Sequence, residues 1–270
     1  MRGALGTISV KQGEQRVESG ERYLVVMTAT IIPAATVTVE RADPALRLED
    51  YKRALRFWLA YRHPAMEQIL LIENSGADLS ELREIAEREN PLAKAVEILS
   101  VPAAAIPAWS NYGYAEMRML DEGLAQSRLR QTTTHMIKVT GRLMFPTCGR
   151  ALDKAAKPFE AMIDCRKLGF PRRGHDANTQ ICFFSHGFYD RVLRGACEEM
   201  NGTDVRLLEH LIFRKVIAFK GQPGILLRFP CNVDPVGFSG FSGRPYDSFG
   251  TRVVRGIRAV LRVVAPGYWF

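Results

Sequence analysis

The chain reads as an α/β protein with a mostly parallel sheet flanked by helices. Three features predict this. Short apolar runs rich in β-branched residues recur at Tyr23–Ile32, 68–72, 95–101 and 135–140. Segments with 3.6-residue apolar spacing separate them, and the junctions carry turn residues. Strands alternating with helices of this length form right-handed βαβ units, whose ligands bind beyond the carboxyl ends of the strands.

Each element follows from local pattern. Tyr23–Ile32 is apolar and ended by Pro33, which reads as a buried strand. After Asp43-Pro44, residues 48–62 place Leu48, Tyr51, Leu55, Trp58 and Leu59 on one helical face. The run 68–72 (QILLI) stops at the turn cluster Glu73-Asn74-Ser75-Gly76. Asp78, with Glu81 three residues on, is expected to cap a helix that turns Leu82, Ile85 and Ala86 inward. AVEILSV (95–101) is a third strand. Ser110 or Asn111 opens a helix carrying Tyr114, Met117, Leu120 and Leu124, and a fourth strand, 135–140, ends at Thr140-Gly141-Arg142.

The second half is less regular. AMIDC (161–165) reads as a strand, followed by a basic loop, RKLGFPRRGHDAN. ICFFS (181–185) is another apolar run. Two helices are expected over 188–200 and 204–216, the latter opening at Thr203 or Asp204, and ILLRF (225–229) as a last strand. FSGFSGRPYDSFG (238–250), rich in Gly, Ser and aromatics, suits a mobile loop over a site. The expected organisation is a flexible leader over 1–20, a first half over 21–145, a second half of the same domain over 146–250, and a basic amphipathic helix with its tail over 251–270.

Composition narrows the function classes. Hydrophobic residues make up 47% of the 270 and charged ones 24%, ordinary for a globular protein. The net charge of +8 points to an anionic partner such as nucleotide phosphate, nucleic acid or an acidic membrane, although solvated surface cations are an equally plain reading. The five scattered cysteines have no metal-type spacing and fit a reducing, cytoplasmic setting. The motifs GxGxxG, P-loop, HExxH and GxSxG are absent from the sequence, which disfavours a kinase, a typical dehydrogenase and an elbow-type serine hydrolase.

One succession of segments is more specific: VVMTATI, then Asp43-Pro44 with Arg47, Asp50 and Tyr51, then LLIENSGADLSEL, SNYGYAEMRML and IKVTGR. Over roughly residues 23–245 this resembles bacterial GT-A-like, nucleotide-sugar-dependent glycosyltransferases of surface-polysaccharide and lipopolysaccharide assembly. The resemblance implies a GT-A-like, Rossmann-type sheet with a C-terminal acceptor-side region: 21–145 is then the nucleotide-sugar-binding half and 146–250 the acceptor-side half of the same domain. It implies donor binding by Thr28, Ala29, Thr30, Glu73, Asn74 and Ser75 at the first two strand tips. It further implies a nucleotide-sugar donor, a glycan or lipid-linked glycan acceptor, and a place on the inner face of the cell membrane. In that family the strand matching 135–140 ends in an Asp-x-Asp pair that chelates a divalent ion. Here the place holds Lys138-Val139-Thr140-Gly141-Arg142.

That departure sets the chemical expectation. A leaving nucleoside phosphate gathers negative charge, which Arg and Lys can neutralise in place of an ion. Lys138, Thr140, Gly141 and Arg142 are therefore expected to hold donor phosphate, with Gly141 letting backbone approach the ligand. A metal-independent transferase is favoured, with no cofactor expected and a divalent ion as the less favoured alternative. The plainer reading is a strand end with two solvated cations. Glu209, among Leu207, Leu208, Leu211 and Ile212, sits in a setting that desolvates a carboxylate and makes it a general base. The resemblance nominates it too, with Asp204 second. Asp164, beside Arg166 at another strand end, is the other catalytic candidate; His175 and Asp176 are weaker. Glu116 could order the basic tip through a salt bridge.

From Thr251 onward, Arg252, Arg255, Arg258 and Arg262 recur at near-helical spacing against Val253, Val254, Ile257, Val260, Leu261 and Val264. Such a helix fits attachment to an anionic membrane surface or packing on the domain with an arginine face to solvent. The competing functional class is a basic nucleic-acid-binding or nucleic-acid-modifying protein. It is disfavoured because the positive charge is spread out and no nucleic-acid motif occurs.

Overall fold

The computed structural model describes residues 20–34, 39–101, 112–168, 174–200, 207–240 and 242–246, together with positions 256, 260 and 264. The leader, the helix openings at Ser110/Asn111 and Thr203/Asp204, the tip of the basic loop and most of the C-terminal segment lie outside these residues. Gly256, Val260 and Val264 are helical and exposed.

Four strands run parallel at one side of a seven-stranded sheet. β1 (Tyr23–Ala29) pairs with β2 (Gln68–Glu73) and with β4 (His135–Thr140), and β3 (Ala95–Ser100) lies outside β2. Beyond β4 come β8 (Ile181–Ser185), β5 (Ala161–Met162) and β9 (Ile225–Leu226). β8 is antiparallel to both neighbours, so the sheet is mixed. The order β3-β2-β1-β4 reverses direction between β1 and β4. At such a switch point the loops leaving two adjacent strands part and open a crevice.

All seven residues of β1 are buried, because both faces of the sheet are covered. Tyr23, Val25, Met27 and Ala29 join the layer formed by α1 (Pro44–Ala60) and α2 (Ser80–Arg88). Leu24 and Val26 join the opposite layer with α3 (Tyr112–Gln126) and α6 (Leu207–Ile217). Asp43 caps α1, its carboxylate accepting from Ala45 N at 2.8 Å, and Pro44 fills the first turn. The expected face is in place: Tyr51, Leu55, Trp58 and Leu59 are buried. Asp78 is one residue early for a cap; it accepts from Ser80 N at 2.9 Å and Ser80 Oγ at 2.8 Å in a turn before α2.

The second half departs further from its sequence pattern. AMIDC splits: β5 stops at Met162, and Cys165–Leu168 is β6, paired antiparallel with β7 (Gly174–Ala177) in a separate two-stranded sheet. The expected basic loop is thus partly a hairpin. The expected helix over 188–200 is broken into α5 (His186–Phe188), a π-turn over Tyr189–Leu193 and a 3-10 turn over Ala196–Glu199. Gly195 at φ +72° ends the helical path between the last two. Only Ile225 and Leu226 of ILLRF pair as strand. A short helix with no counterpart in the apolar pattern, α4 (Cys148–Lys154), follows the β4 tip. Among the described residues no helix is long and apolar enough to cross a membrane.

Candidate functional site

At the switch point a cleft of about 690 Å³ opens beyond the carboxyl ends of β1, β2 and β4. Its floor begins with a lysine in an apolar layer. In β4, Lys138 projects to the same face as Met136, Cys182 and Phe184, and is 4% exposed. An ammonium cannot stay charged there without partners. Glu116 on α3 supplies one at 2.6 Å, and the Thr179 carbonyl oxygen accepts a second bond at 2.7 Å. Glu116 also accepts from Thr28 Oγ1 at 2.8 Å. Burial alone would raise the Glu116 pKa, but the Lys138 charge, the bonds from Lys138 and Thr28, and the Arg142 charge together hold it below the ordinary range.

Thr179 carries this network to a second carboxylate. Its hydroxyl donates to Glu209, in the first turn of α6, at 3.3 Å. Among the described residues no salt bridge reaches Glu209. Burial pushes its pKa up from the ordinary range; a backbone hydrogen bond opposes this, the negative charge of Glu116 adds to it, and the Thr179 bond and the Lys138 charge oppose it less. One cleft thus holds two carboxylates whose affinities for a proton are driven apart, Glu116 down and Glu209 up, the kind of pairing that assigns different acid–base roles to neighbouring groups.

The tips of β1 and β2 form the opposite wall. Glu73 is fully buried, and its carboxylate accepts from Ile31 N at 3.1 Å, Ser75 N at 2.9 Å and Gly76 N at 3.1 Å, as well as from the Ser75 hydroxyl. It holds the two loops together and does not line the cleft. Asn74 N bonds the Ala29 carbonyl at 3.2 Å, and Asn74 Oδ1 accepts from Thr30 Oγ1 at 2.7 Å. Two residues of α1 complete the wall: Arg47 Nε donates to Thr30 O at 2.7 Å, and Tyr51 OH accepts from Thr30 N at 3.0 Å. Their i, i+4 spacing puts both on one face of α1.

At the β4 tip, Gly141 N donates to the Thr28 carbonyl at 2.9 Å. A Cβ on Gly141 would stand 2.6 Å from that oxygen and 3.3 Å from the Tyr51 ring. The close approach this glycine permits is between two parts of the chain, not the expected approach to ligand. Arg142 lines the cleft, and its Nε donates to the Phe238 carbonyl at 3.2 Å.

Of the residues expected from sequence, Thr28, Thr30, Asn74, Ser75, Thr140, Arg142 and Glu209 line the one cleft. Ala29, Glu73, Lys138 and Gly141 lie behind that surface. Asp164 does not line the cleft: it lies between β5 and β6, 2% exposed, with Arg166 Nε 3.2 Å from its carboxylate. The cleft also takes in residues that sequence reasoning did not nominate: Arg47, Tyr51, Met119, Thr179, Gln180, Gly240 and Tyr246. Arg47 and Tyr51 were visible as conspicuous residues in the Asp43–Tyr51 segment. Thr179 and Gly240 carry no local signal.

The chemistry of the donor set was compared with the divalent-ion site that this fold family implies. Among the described residues no group of three or more His, Cys, Asp or Glu side chains is placed to hold a metal. The β4 tip, Thr140-Gly141-Arg142-Leu143, contains no carboxylate. Glu116 is committed to Lys138 and Thr28. These residues do not fit an Asp-x-Asp centre.

No family model matches the chain, and no curated protein matches it. Among solved structures, an active-site mutant of LgtC superposes with a TM-score of 0.50 at 9% identity, covering 88% of this chain and 95% of LgtC. A mannosyltransferase from Pyrobaculum calidifontis, solved in complex with GDP-Man and Mn2+, gives 0.46 at 13% identity over 92% of this chain; the match spans 65% of that longer protein. A cytidylyltransferase from Leptospira borgpetersenii gives 0.45 at 9% identity, covering 87% of this chain and 86% of that one. Likeness at this level is one of architecture, and it establishes that the chain has the GT-A-like α/β fold that its sequence resemblance implies.

Proposed function

We propose that this chain is a transferase that moves a sugar from a nucleotide-sugar donor to a polysaccharide or lipid-linked acceptor. The observation that carries the reading is that Glu209 and Arg142 line one cleft at the switch point, over a floor made by the Glu116–Lys138 pair. Fold likeness makes the reading coherent but does not choose the chemistry.

In the proposed reaction Glu209 takes the proton of the acceptor hydroxyl. The acceptor oxygen forms its bond to the anomeric carbon as the bond from that carbon to the donor phosphate breaks. The electron pair leaves with the nucleoside phosphate, and Arg142 balances its charge. Lys138 was a phosphate-binding candidate on sequence grounds. With its ammonium on Glu116 and Thr179, its role in this reading is to keep Glu116 ionised, which in turn raises the Glu209 pKa. Thr30, Asn74 and Ser75 would receive the base and ribose. We propose that no divalent ion is needed, since Arg142 occupies the position of the acid pair. The exposed Val260 and Val264, one helical turn apart, are compatible with seating the C-terminal helix on an anionic membrane.

A thermal-shift panel of UDP-, GDP- and CMP-sugars tests the donor assignment; a rise in Tm with one nucleotide is expected. Stabilisation by oligonucleotides alone would replace this reading with the nucleic-acid one. Transfer activity abolished by EDTA and restored by Mn2+ would overturn the metal-free proposal. Equal binding of the full chain and of a 1–250 truncation to anionic liposomes would remove the membrane role.

A further inference from the structure

The segment after β9 returns across the cleft as a strap. Val236 bridges Met144, just past the β4 tip, and Phe238 bridges Pro245. Ser239, Gly240 and Tyr246 line the cleft, and Tyr246 OH accepts from Gln180 Nε2 at 2.6 Å. The strap meets the cleft arginine at two points. The Phe238 carbonyl accepts from Arg142 Nε at 3.2 Å. The Arg142 guanidinium then lies flat against the Gly240 backbone: a Cβ on Gly240 would be 2.4 Å from Nη2, 2.7 Å from Cζ and 2.9 Å from Nη1.

The other side of the strap is clamped to the donor half. The Phe238 ring lies 4.4 Å from the Arg41 guanidinium and 5.5 Å from that of Arg53. Both arginines bind Asp50, which is 1% exposed; Arg53 does so at 2.8 Å. Arg41 N also donates to the Gly240 carbonyl at 3.3 Å. Cation–π contacts on one buried carboxylate thus fix the ring whose own carbonyl holds Arg142. A flexible arginine loses much of its entropic penalty for binding an anion when its fork is held in advance.

We propose that Phe238 and Gly240 are positioning residues for an oxyanion subsite: they seat the Arg142 guanidinium so that its free edge receives the diphosphate of a nucleotide donor. The inference rests on the proposed donor cleft and adds what orients its cation. It also explains a glycine whose backbone needs no positive φ, since Gly240 is required by the room the guanidinium takes.

Gly240→Ala is a directed test. The three atoms nearest to an added Cβ all belong to the end of a flexible side chain, so the variant should fold while the fork swings away. Affinities of wild type and variant are measured by calorimetry for UDP, GDP and CDP, for the matching nucleosides, and for inorganic pyrophosphate. The expected result is a loss of roughly tenfold or more for the preferred nucleoside diphosphate and for pyrophosphate, the scale of one charge-assisted bidentate contact. Nucleoside affinity should stay within about twofold, a selectivity that general loosening of the cleft would not produce. Phe238→Leu, which keeps an apolar side chain but removes the ring between the arginines, should move the same way by less. Diphosphate binding unchanged in Gly240→Ala, or diphosphate and nucleoside binding lost together, overturns the inference and leaves the donor assignment intact. Pyrophosphate binding that depends on Gly240 without any nucleotide binding supports the subsite and overturns the donor assignment. Wild-type protein that binds neither overturns both.

Discussion

The two walls of the cleft solve opposite problems. The wall from the β1 and β2 tips is bonded to itself: Glu73 takes three backbone N–H groups, and Thr30 is met by Asn74, Arg47 and Tyr51. The wall from β4, α3 and α6 concentrates ionisable groups whose protonation is driven apart, with Glu116 held down and Glu209 pushed up. A buried carboxylate is inert when backbone donors and a turn consume it, and chemically available when it keeps access to the cleft with its pKa raised. Glu73 is fully buried, whereas Glu116 and Glu209 are half-buried beside the cleft. Access to the cleft and bonds left over together separate machinery from frame.

The largest effect should come from removing the available carboxylate. Glu209→Gln is expected to lower kcat about 10²–10⁴-fold, the usual contribution of a general base, with donor affinity nearly unchanged. Near-normal turnover would move Glu209 to the frame. The same variant has a thermodynamic signature. A carboxyl whose folded pKa is raised contributes stability below its unfolded pKa, and that contribution is lost as pH rises through the folded value. Glutamine stays neutral throughout, so the variant should be more stable than wild type at pH 7, with the gap closing as pH falls toward about 4.3. Denaturant midpoints across pH would show it, and a gap independent of pH would contradict the raised pKa. Glu116 should behave in the reverse sense, its contribution present above the ordinary carboxylate pKa and lost on acidification.

Lys138→Met tests whether the floor is an interdependent pair. Leaving the half-buried Glu116 without its cation should cost about 3 kcal/mol in urea unfolding, and adding Glu116→Gln should recover most of it. Additive losses would mean that the two groups stand independently. On the frame wall, Glu73→Gln should cost about 1–3 kcal/mol, because one amide oxygen cannot accept all the donors that the carboxylate satisfies. Its activity should keep the wild-type pH profile; a shifted acid limb would erase the distinction between the walls. An effect of the same size is expected for Gly141→Ala, about 1–3 kcal/mol of overpacking against the Thr28 carbonyl, with the pH profile again unchanged.

Much of the frame was legible in the sequence. The β-branched runs and the 3.6-residue spacing of Tyr51, Leu55, Trp58 and Leu59 specify β1 to β4 and α1 to α3, since in this half local pattern and burial agree. The second half was less legible. The π-turn at Tyr189–Leu193, the split of AMIDC into strands of two sheets and the shortening of β9 all depend on which neighbours are available to pair, and a linear pattern does not record that.

For the site the division is finer. Sequence alone determined the GT-A-like order of elements, the cationic β4 tip with no carboxylate, and a carboxylate among leucines on α6. Each is a property of residue type at a position along one element. Only the tertiary structure decided that Lys138 is spent on Glu116 and that Thr179 links that pair to Glu209. It likewise decided that Asp164 does not line the cleft, and that Gly141 and Gly240 make room for Thr28 and Arg142. These are contacts between segments far apart in sequence, where charge and steric fit depend on distances of a few ångströms that only the folded chain sets.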